Sequence, residues 1–286
     1  MRAFFRLIRF PLAFTAASNS MAGFLVASSR PDVGAAAVVG LLSVFIYSLG
    51  MVLNDLADVE RDRSLHPDRP LVKGEISLGG AWLWAMALLA GAVGLSIELG
   101  PGTAAVAGAL ILLVFAYDFA LKRLSILGAF GMGAARGMNF LLGLAAVTEW
   151  GWHPYAIVLF CYIAAITCIS LLEEAPRRSF FIAYSIAAGS AALCVAYFGI
   201  LREGWAGSVL AAAVAAAIFA QMARALRSFG RDAVLRFVFG GLLLIIPLDS
   251  AAVMTDPSKV GQGAMLLLLL PVALAARWAL SRRTPA

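Results

Sequence analysis

Ten apolar stretches fill this chain, near residues 10–29, 34–54, 79–98, 103–121, 126–148, 154–173, 179–200, 206–226, 233–254 and 262–281. Each is long enough, or nearly so, to cross about 30 Å of hydrocarbon. In lipid a backbone must satisfy its own N–H and C=O groups, and spans of about 20 residues do so as helices. The chain is therefore predicted to be an all-α, polytopic membrane helix bundle, one integral-membrane domain over residues 1–286. Composition agrees: 62% of residues are hydrophobic and 13% are charged, against roughly 25% charged in a soluble domain. No polar run remains for a separate soluble domain. Arginines precede the first stretch, but no clear small-residue cleavage site ends it, so it reads as a retained first helix. Cys161, Cys168 and Cys194 lie within apolar runs and read as buried thiols with no disulfide framework.

The formal net charge of +6 is no signal for nucleic acid, because its distribution follows the membrane. With the N-terminus placed in the cytoplasm, eighteen of the 22 Lys and Arg fall at inside ends. Only Arg30, Arg202 and Lys259 fall outside, and Arg136 sits mid-helix. That bias predicts N-in, C-in topology and an even helix count. The expected location is a multi-pass protein of a bacterial inner (cell) membrane, in contact with membrane lipid.

The second stretch ends in Asn54-Asp55-Leu-Ala-Asp58-Val-Glu-Arg-Asp62. Carboxylates at the edge of a span are costly and mark functional sites. Asp55, Asp58 and Asp62 stand at i, i+3 and i+7, within roughly 60° of arc on a continuous helix, and Asn54 adds an oxygen on that side. Hard oxygen ligands gathered this way suit Mg²⁺, which takes one or two carboxylates and completes its shell with water and substrate phosphate. Arg69 and Lys73 follow within reach of such a phosphate. A solvated charged loop is the plainer alternative.

Three further features carry charge into the apolar pattern. At the end of the sixth stretch Glu173 and Glu174 precede Pro176, Arg177 and Arg178. Carboxylates at a helix C-terminus oppose the macrodipole unless a cation compensates, so this is either a surface ion-pair cluster or a ligand set. After the fourth stretch come Tyr117, Asp118, Lys122 and Arg123. Asp118 and Lys122 are spaced for a helix-surface pair, whereas Tyr117, Lys122 and Arg123 could hold phosphate oxygens. Arg136 and Asn139 lie a turn apart inside the fifth stretch. An Arg at that depth faces the bundle interior or a wet cavity, either paired with Asp249 or lining a substrate cavity.

Taken with Arg69-Pro70-Leu-x-x-Gly74, the Asn54-Asp55-x-x-Asp58-x-x-x-Asp62 run resembles the first motif of the UbiA superfamily of intramembrane prenyltransferases. Tyr117, Lys122 and Arg123 are similar to that family's Tyr-x-x-x-x-Lys-Arg segment, and Leu7-Ile-Arg9-Phe-Pro11…Asn19…Gly23 to its first helix. Arg136, Asn139, Leu248-Asp249 and the Glu pair resemble its divergent members encoded in Ebo-type clusters. The resemblance implies a bundle of nine helices around a cavity open to lipid. It implies Mg²⁺-dependent transfer of a polyprenyl group from a polyprenyl diphosphate donor to a small lipophilic acceptor, aromatic or other, at the cytoplasmic face. It implies catalytic roles for Asp55, Asp58 and Asp62, and metal ligation by these with Asn54, Glu173 and Glu174. Diphosphate binding would fall to Arg9, Arg69, Lys73, Tyr117, Lys122, Arg123 and Arg177, and the cavity to Asn19, Arg136 and Asn139. Two features depart from the family. Its second motif is Asp-x-x-x-Asp, whereas here Arg177 takes the second carboxylate's place; and the stretch 262–281 adds a tenth, C-terminal helix. The first departure keeps a non-catalytic role open, as a lipid or precursor binding or transport protein on the same fold.

Overall fold

The computed structural model describes residues 1–30, 32–148, 150–170, 189, 197–198, 204–228 and 230–281. Among them the chain is helical: α1 (Arg2–Leu7), α2 (Phe10–Ala27), α3 (Val33–Ala57), α4 (Val59–Leu65), α5 (Leu78–Glu98), α6 (Pro101–Phe119) and α7 (Ser125–Thr148). There follow α8 (Tyr155–Ser170), α9 (Trp205–Ser228), α10 (Arg231–Leu243), α11 (Ile245–Val253), α12 (Val260–Leu267) and α13 (Leu269–Ser281). No strand occurs among the described residues. Nine of the ten apolar stretches fall wholly or mostly on described residues, and each of these forms helix there. Eight are long and apolar enough to span, with α10–α11 and α12–α13 each counting as one, and α8 is a shorter apolar helix of 16 residues. The stretch 179–200 lies almost entirely outside the described residues. The chain is thus an integral, multi-pass membrane bundle.

Prolines explain where apolar runs break. A proline ring clashes with the carbonyl four residues earlier and removes the hydrogen bond to it. Pro11, Pro247 and Pro271 follow the last residues of α1, α10 and α12, namely Leu7, Leu243 and Leu267, by that interval. The ninth and tenth stretches are therefore each a pair of short helices. Asp32 and Ser77 cap α3 and α5, their side chains accepting from Gly34 N and Gly80 N.

Two apolar cores lie on either side of the α2–α7 crossing. One joins α3, α5 and α6 around Leu42, Leu49, Leu53 and Leu110; the other joins α8, α9, α10 and α11 around Leu159, Ile163 and Phe237. At the crossing the backbones touch. A methyl group on Gly23 would overlap Phe140 O, and one on Gly143 would overlap Ser20 O, the close approach by which membrane helices gain van der Waals contact. Large apolar side chains on the outside, such as Leu83 and Leu112, form the lipid face. Trp150, Trp152 and Trp205 are exposed at one end of the bundle and Trp82, Trp84 and Trp278 near the other, as interfacial aromatic belts require.

The end bearing the acidic run also gathers the N-terminus, the 66–77 loop, the start of α10 and the end of α13. Arg2 donates to Leu280 O at 2.9 Å, Arg6 pairs with Glu75 at 2.8 Å, and Arg231 lies 3.4 Å from His66.

Candidate functional site

The acidic run does not stay on one continuous helix. Asp58 (φ −102°, ψ 3°) separates α3 from α4, which corrects the expectation of unbroken i, i+3, i+7 register. Two backbone bonds, Asp58 N to Asn54 O and Asp62 N to Asp58 O, nevertheless carry the turn through the break. Asp55 and Asp62 therefore still face the same way. Both are 3% exposed, and one guanidinium serves both: Arg69 Nη1 donates to Asp55 Oδ1 at 3.0 Å and to Asp62 Oδ2. The loop that delivers Arg69 is shaped by Arg69 N to His66 O, Lys73 N to Arg69 O and a left-handed Gly74 at φ 70°.

Arg9 reaches the same carboxylate from the other side, with Nη2 3.5 Å from Asp55 Oδ1. Its backbone sits at φ 47°, in the left-handed region. A non-glycine residue there costs about 1 kcal/mol, and among the described residues no other non-glycine adopts it. The strain turns α1 into α2 with Arg9 at the corner. Lys122, in the 3₁₀ turn Leu121–Arg123, places Nζ 2.8 Å from Asp58 Oδ2 without hydrogen-bond alignment, and 3.9 Å from Asp118 Oδ1. Asn54 donates to Asp118 Oδ1 at 3.0 Å. The Asp118–Lys122 helix-surface pair, one of the two readings of that spacing, is thus the looser of the two Lys122 contacts.

Four carboxylates (Asp55, Asp58, Asp62, Asp118) here face three cations (Arg9, Arg69, Lys122). The hard oxygen donors and the negative surplus suit a divalent cation such as Mg²⁺. In this arrangement, though, Arg69 and Lys122 stand between the carboxylates, and no three acidic, His or Cys side chains converge as a metal cage among the described residues. Most of the site's negative charge is met by its own cations, which are also the groups that would hold phosphate oxygens.

Not every candidate joins this rim. Lys73 pairs instead with Asp68 at 2.6 Å on the exposed surface, and that hydrogen bond holds the Asp68 carboxyl below its ordinary range. Arg123 is exposed at the turn, while Tyr117 and Asp118 line the mouth of a cavity. Glu173, Glu174 and Arg177 lie outside the described residues. An open basin beside the rim adds Arg6, His66 and Arg231 to Arg9 and Arg69. None of the three belongs to a motif, and Arg6 and Arg231 stand out in the sequence only as inside cations.

The cavity runs from Tyr117 and Asp118 down between α2, α3, α6 and α7 to Tyr47, Arg136 and Asn139. Its volume is about 90 Å³, or about 630 Å³ with the open space at its mouth. Below it is a second polar cluster. Asp249, fully buried, accepts from Ser18 Oγ at 2.6 Å, Asn19 Nδ2 at 3.2 Å and Tyr155 Oη at 3.0 Å. Asn139 donates to Ala16 O at 2.9 Å and Asn19 Oδ1 at 3.1 Å, and accepts from Ser43 Oγ at 2.7 Å. Arg136 Nη2 donates to Thr15 Oγ1 at 3.0 Å. Arg136 is among the residues lining this cavity, and no ion pair within 4 Å joins it to Asp249 among the described residues. Ser18, Ser43, Tyr47 and Tyr155 carried no sequence signal, since single hydroxyls inside apolar runs look like ordinary packing.

Residues 16–246 match the UbiA prenyltransferase family. A Digeranylgeranylglyceryl phosphate synthase from Methanoculleus marisnigri is 32% identical over 222 residues, covering 76% of this chain and 76% of that protein. Among solved structures, the apo form of a UbiA homolog from Aeropyrum pernix is similar with a TM-score of 0.71 at 18% identity, over 90% of this chain and 98% of that one. A UbiA homolog from Archaeoglobus fulgidus, solved bound to GPP and Mg²⁺, is similar with a TM-score of 0.65 at 18% identity, over 87% and 99%. At such identities the likeness is one of fold.

Proposed function

This chain belongs to the UbiA prenyltransferase family, and from that premise we propose that it transfers a polyprenyl group from a polyprenyl diphosphate to a small lipophilic acceptor inside the membrane, with Mg²⁺. The observation that carries this reading is the charge-paired rim at the mouth of an apolar cavity. Asp55, Asp58 and Asp62 are the residues to hold the ion, with Asn54 beside them. Mg²⁺, when bound there, would neutralise the diphosphate as a leaving group. Arg9, Arg69 and Lys122, released from their carboxylates, would turn onto phosphate oxygens, with Tyr117 and Arg123 close by. The allylic C–O bond breaks with its electron pair going to the diphosphate; the acceptor's nucleophile then bonds to that carbon and loses its proton. The apolar walls would keep water from the cation. In this reading Glu173, Glu174 and Arg177 complete the diphosphate site. The eighteen-to-three bias of cations supports N-in, C-in orientation and a cytoplasmic rim.

The relative from M. marisnigri is named for a product with two geranylgeranyl groups, which makes geranylgeranyl diphosphate the first donor to try. The purified protein, given Mg²⁺, a panel of polyprenyl diphosphates and a lipid-extract acceptor, should release pyrophosphate. No release with any donor would leave the second reading, a lipid or precursor binding or transport protein. That second reading is favoured by Arg177 at the second motif and by the cations already seated between the rim's carboxylates.

A further inference from the structure

We propose that the cleft between α9 and α10 seats the phosphate of an acidic phospholipid, drawn from the leaflet on the rim side of the membrane. The site stands apart from the central cavity and does not depend on prenyl transfer.

The turn between these two helices concentrates positive charge. Arg224, Arg227, Arg231 and Arg236 stand there against Asp232 alone. It lies at the same end of the bundle as the rim, since Arg231 is 3.4 Å from His66. Arg224 precedes Ser228, the last residue of α9, by four positions, and Arg236 follows Arg231, the first of α10, by five. They therefore sit about 6 and 7.5 Å inside the helix ends, at one level on antiparallel neighbours. The headgroup layer on each face of the hydrocarbon is about 5–7 Å thick. With the helix ends at its outer edge, both guanidiniums reach the boundary between headgroup and hydrocarbon. A cation at that boundary is drawn to an anion.

Between the two arginines is a cleft of about 250 Å³, or about 580 Å³ with the open space before it. Its polar lining is Gln221, Arg224 and Arg236, with no carboxylate. Arg236 and Gln221 make no hydrogen bond or ion pair among the described residues, and Asp232, one turn before Arg236, does not pair with it. Ala225, Ala233 and Phe237 make the rest of the lining apolar. Gly240 lets the helices approach beside Gln221, whose side chain a methyl group there would overlap. One turn past Arg236, the Arg277 guanidinium of α13 lies 3.8 Å over the Phe239 ring, and Trp278 is exposed next to it. Such an aromatic marks the headgroup level.

Two guanidiniums and an amide NH₂ facing one cleft match the unesterified oxygens of a phosphate. Depth and apolar lining select its source. A lipid phosphate already lies at that level, and its glycerol and first methylenes fit the apolar wall, whereas free phosphate is better solvated in bulk water. A lining with cations and no carboxylate also favours a headgroup of net negative charge, because the ammonium of a zwitterionic one would meet only like charge.

The test offers the full chain, in detergent, equal amounts of phosphatidylglycerol and phosphatidylcholine with acyl chains of different mass. Native mass spectrometry counts the lipid retained. Phosphatidylglycerol should be retained at least tenfold over phosphatidylcholine. Arg236→Gln, at an exposed position that folding does not depend on, should lower that preference about fivefold, the contribution of one interfacial cation. Arg63→Gln, an exposed cation of α4 paired with Glu60, should leave it unchanged. Equal retention of the two lipids by the wild type would overturn the proposal, as would an undiminished preference in Arg236→Gln. An equal fall in Arg63→Gln would overturn it too, leaving only diffuse attraction to a positive surface. In a second arm, inorganic phosphate at the lipid's concentration should displace none of it; full displacement would assign the cleft to free phosphate and overturn the lipid.

Discussion

The rim and the deep cluster face one cavity and handle charge in opposite ways. At the rim, Asp55, Asp58 and Asp62 meet Arg9, Arg69 and Lys122, whose long side chains come from different elements. At depth, the side-chain hydrogen bonds to Asp249 among the described residues come from neutral groups: Ser18, Asn19 and the hydroxyl of Tyr155. A long flexible cation can leave one anion for another when a new anion arrives, because the exchange keeps every charge paired. A carboxylate held by three packed donors in hydrocarbon has no such exchange open to it. In the prenyl-transfer reading the rim trades partners when a phosphate arrives, whereas the deep cluster fixes where α2, α7, α8 and α11 meet.

The largest effect should therefore appear at the rim and on function. Asp58→Ala or Asp62→Ala should weaken Mg²⁺-dependent binding of geranylgeranyl diphosphate at least a hundredfold, about 2.7 kcal/mol. The protein should still elute as a monodisperse species in detergent, because Arg69 keeps Asp55 and Lys122 keeps Asp118. Titration calorimetry with and without Mg²⁺ reads this directly. Either variant binding the diphosphate like wild type would break the contrast at its stronger end.

At depth the signs reverse. Asp249→Ala removes the acceptor of Asn19 Nδ2 and Tyr155 Oη and leaves Ser18 Oγ only its longer bond to Thr15 O, and an unmet buried group costs about 1–3 kcal/mol. We expect the thermal midpoint in detergent to fall by roughly 4–8 °C, from about 2 kcal/mol at this chain size. Asp249→Asn, which keeps one oxygen, should fall by less, and donor binding should stay within threefold in both. An Asp249→Ala protein of unchanged midpoint that no longer binds donor would exchange the roles of the two clusters.

Much of this was legible in the residues, and what was hidden follows a rule. Span number and acidic rim depend on local pattern: apolar length for the helices, carboxylate spacing for Asp55, Asp58 and Asp62, and the following loop for Arg69. The helix breaks before Pro247 and Pro271 were also written in the sequence, but unbroken hydropathy masked them. Partner choice was not local. Lys122 lies closer to Asp58 than to Asp118 one turn away, because folding brings α3 and α6 together at that end. Ser18 and Asp249 stand 231 residues apart, and neither carries a mark that points to the other. Lys73 looked like Arg69 by spacing, yet its nearest carboxylate is Asp68 on its own loop.

That last pair gives the smallest effect and the sharpest limit on the rim. Lys73 and Asp68 are exposed, with side chains 44% and 87% accessible, where an ion pair is screened by water and contributes little. The Asp68 carboxyl is held low by the Lys73 hydrogen bond, so the pair's contribution is present at neutral pH and fades only as pH falls through that lowered value. At pH 7 Lys73→Ala should leave the thermal midpoint unchanged and shift Mg²⁺-dependent diphosphate binding by threefold or less, about 0.65 kcal/mol. Arg69→Ala, measured beside it, should lose at least tenfold, because its guanidinium alone spans Asp55 and Asp62. Equal losses in the two variants would mean that Lys73 leaves Asp68 when the diphosphate binds, and the rim would then extend across the whole 66–77 loop.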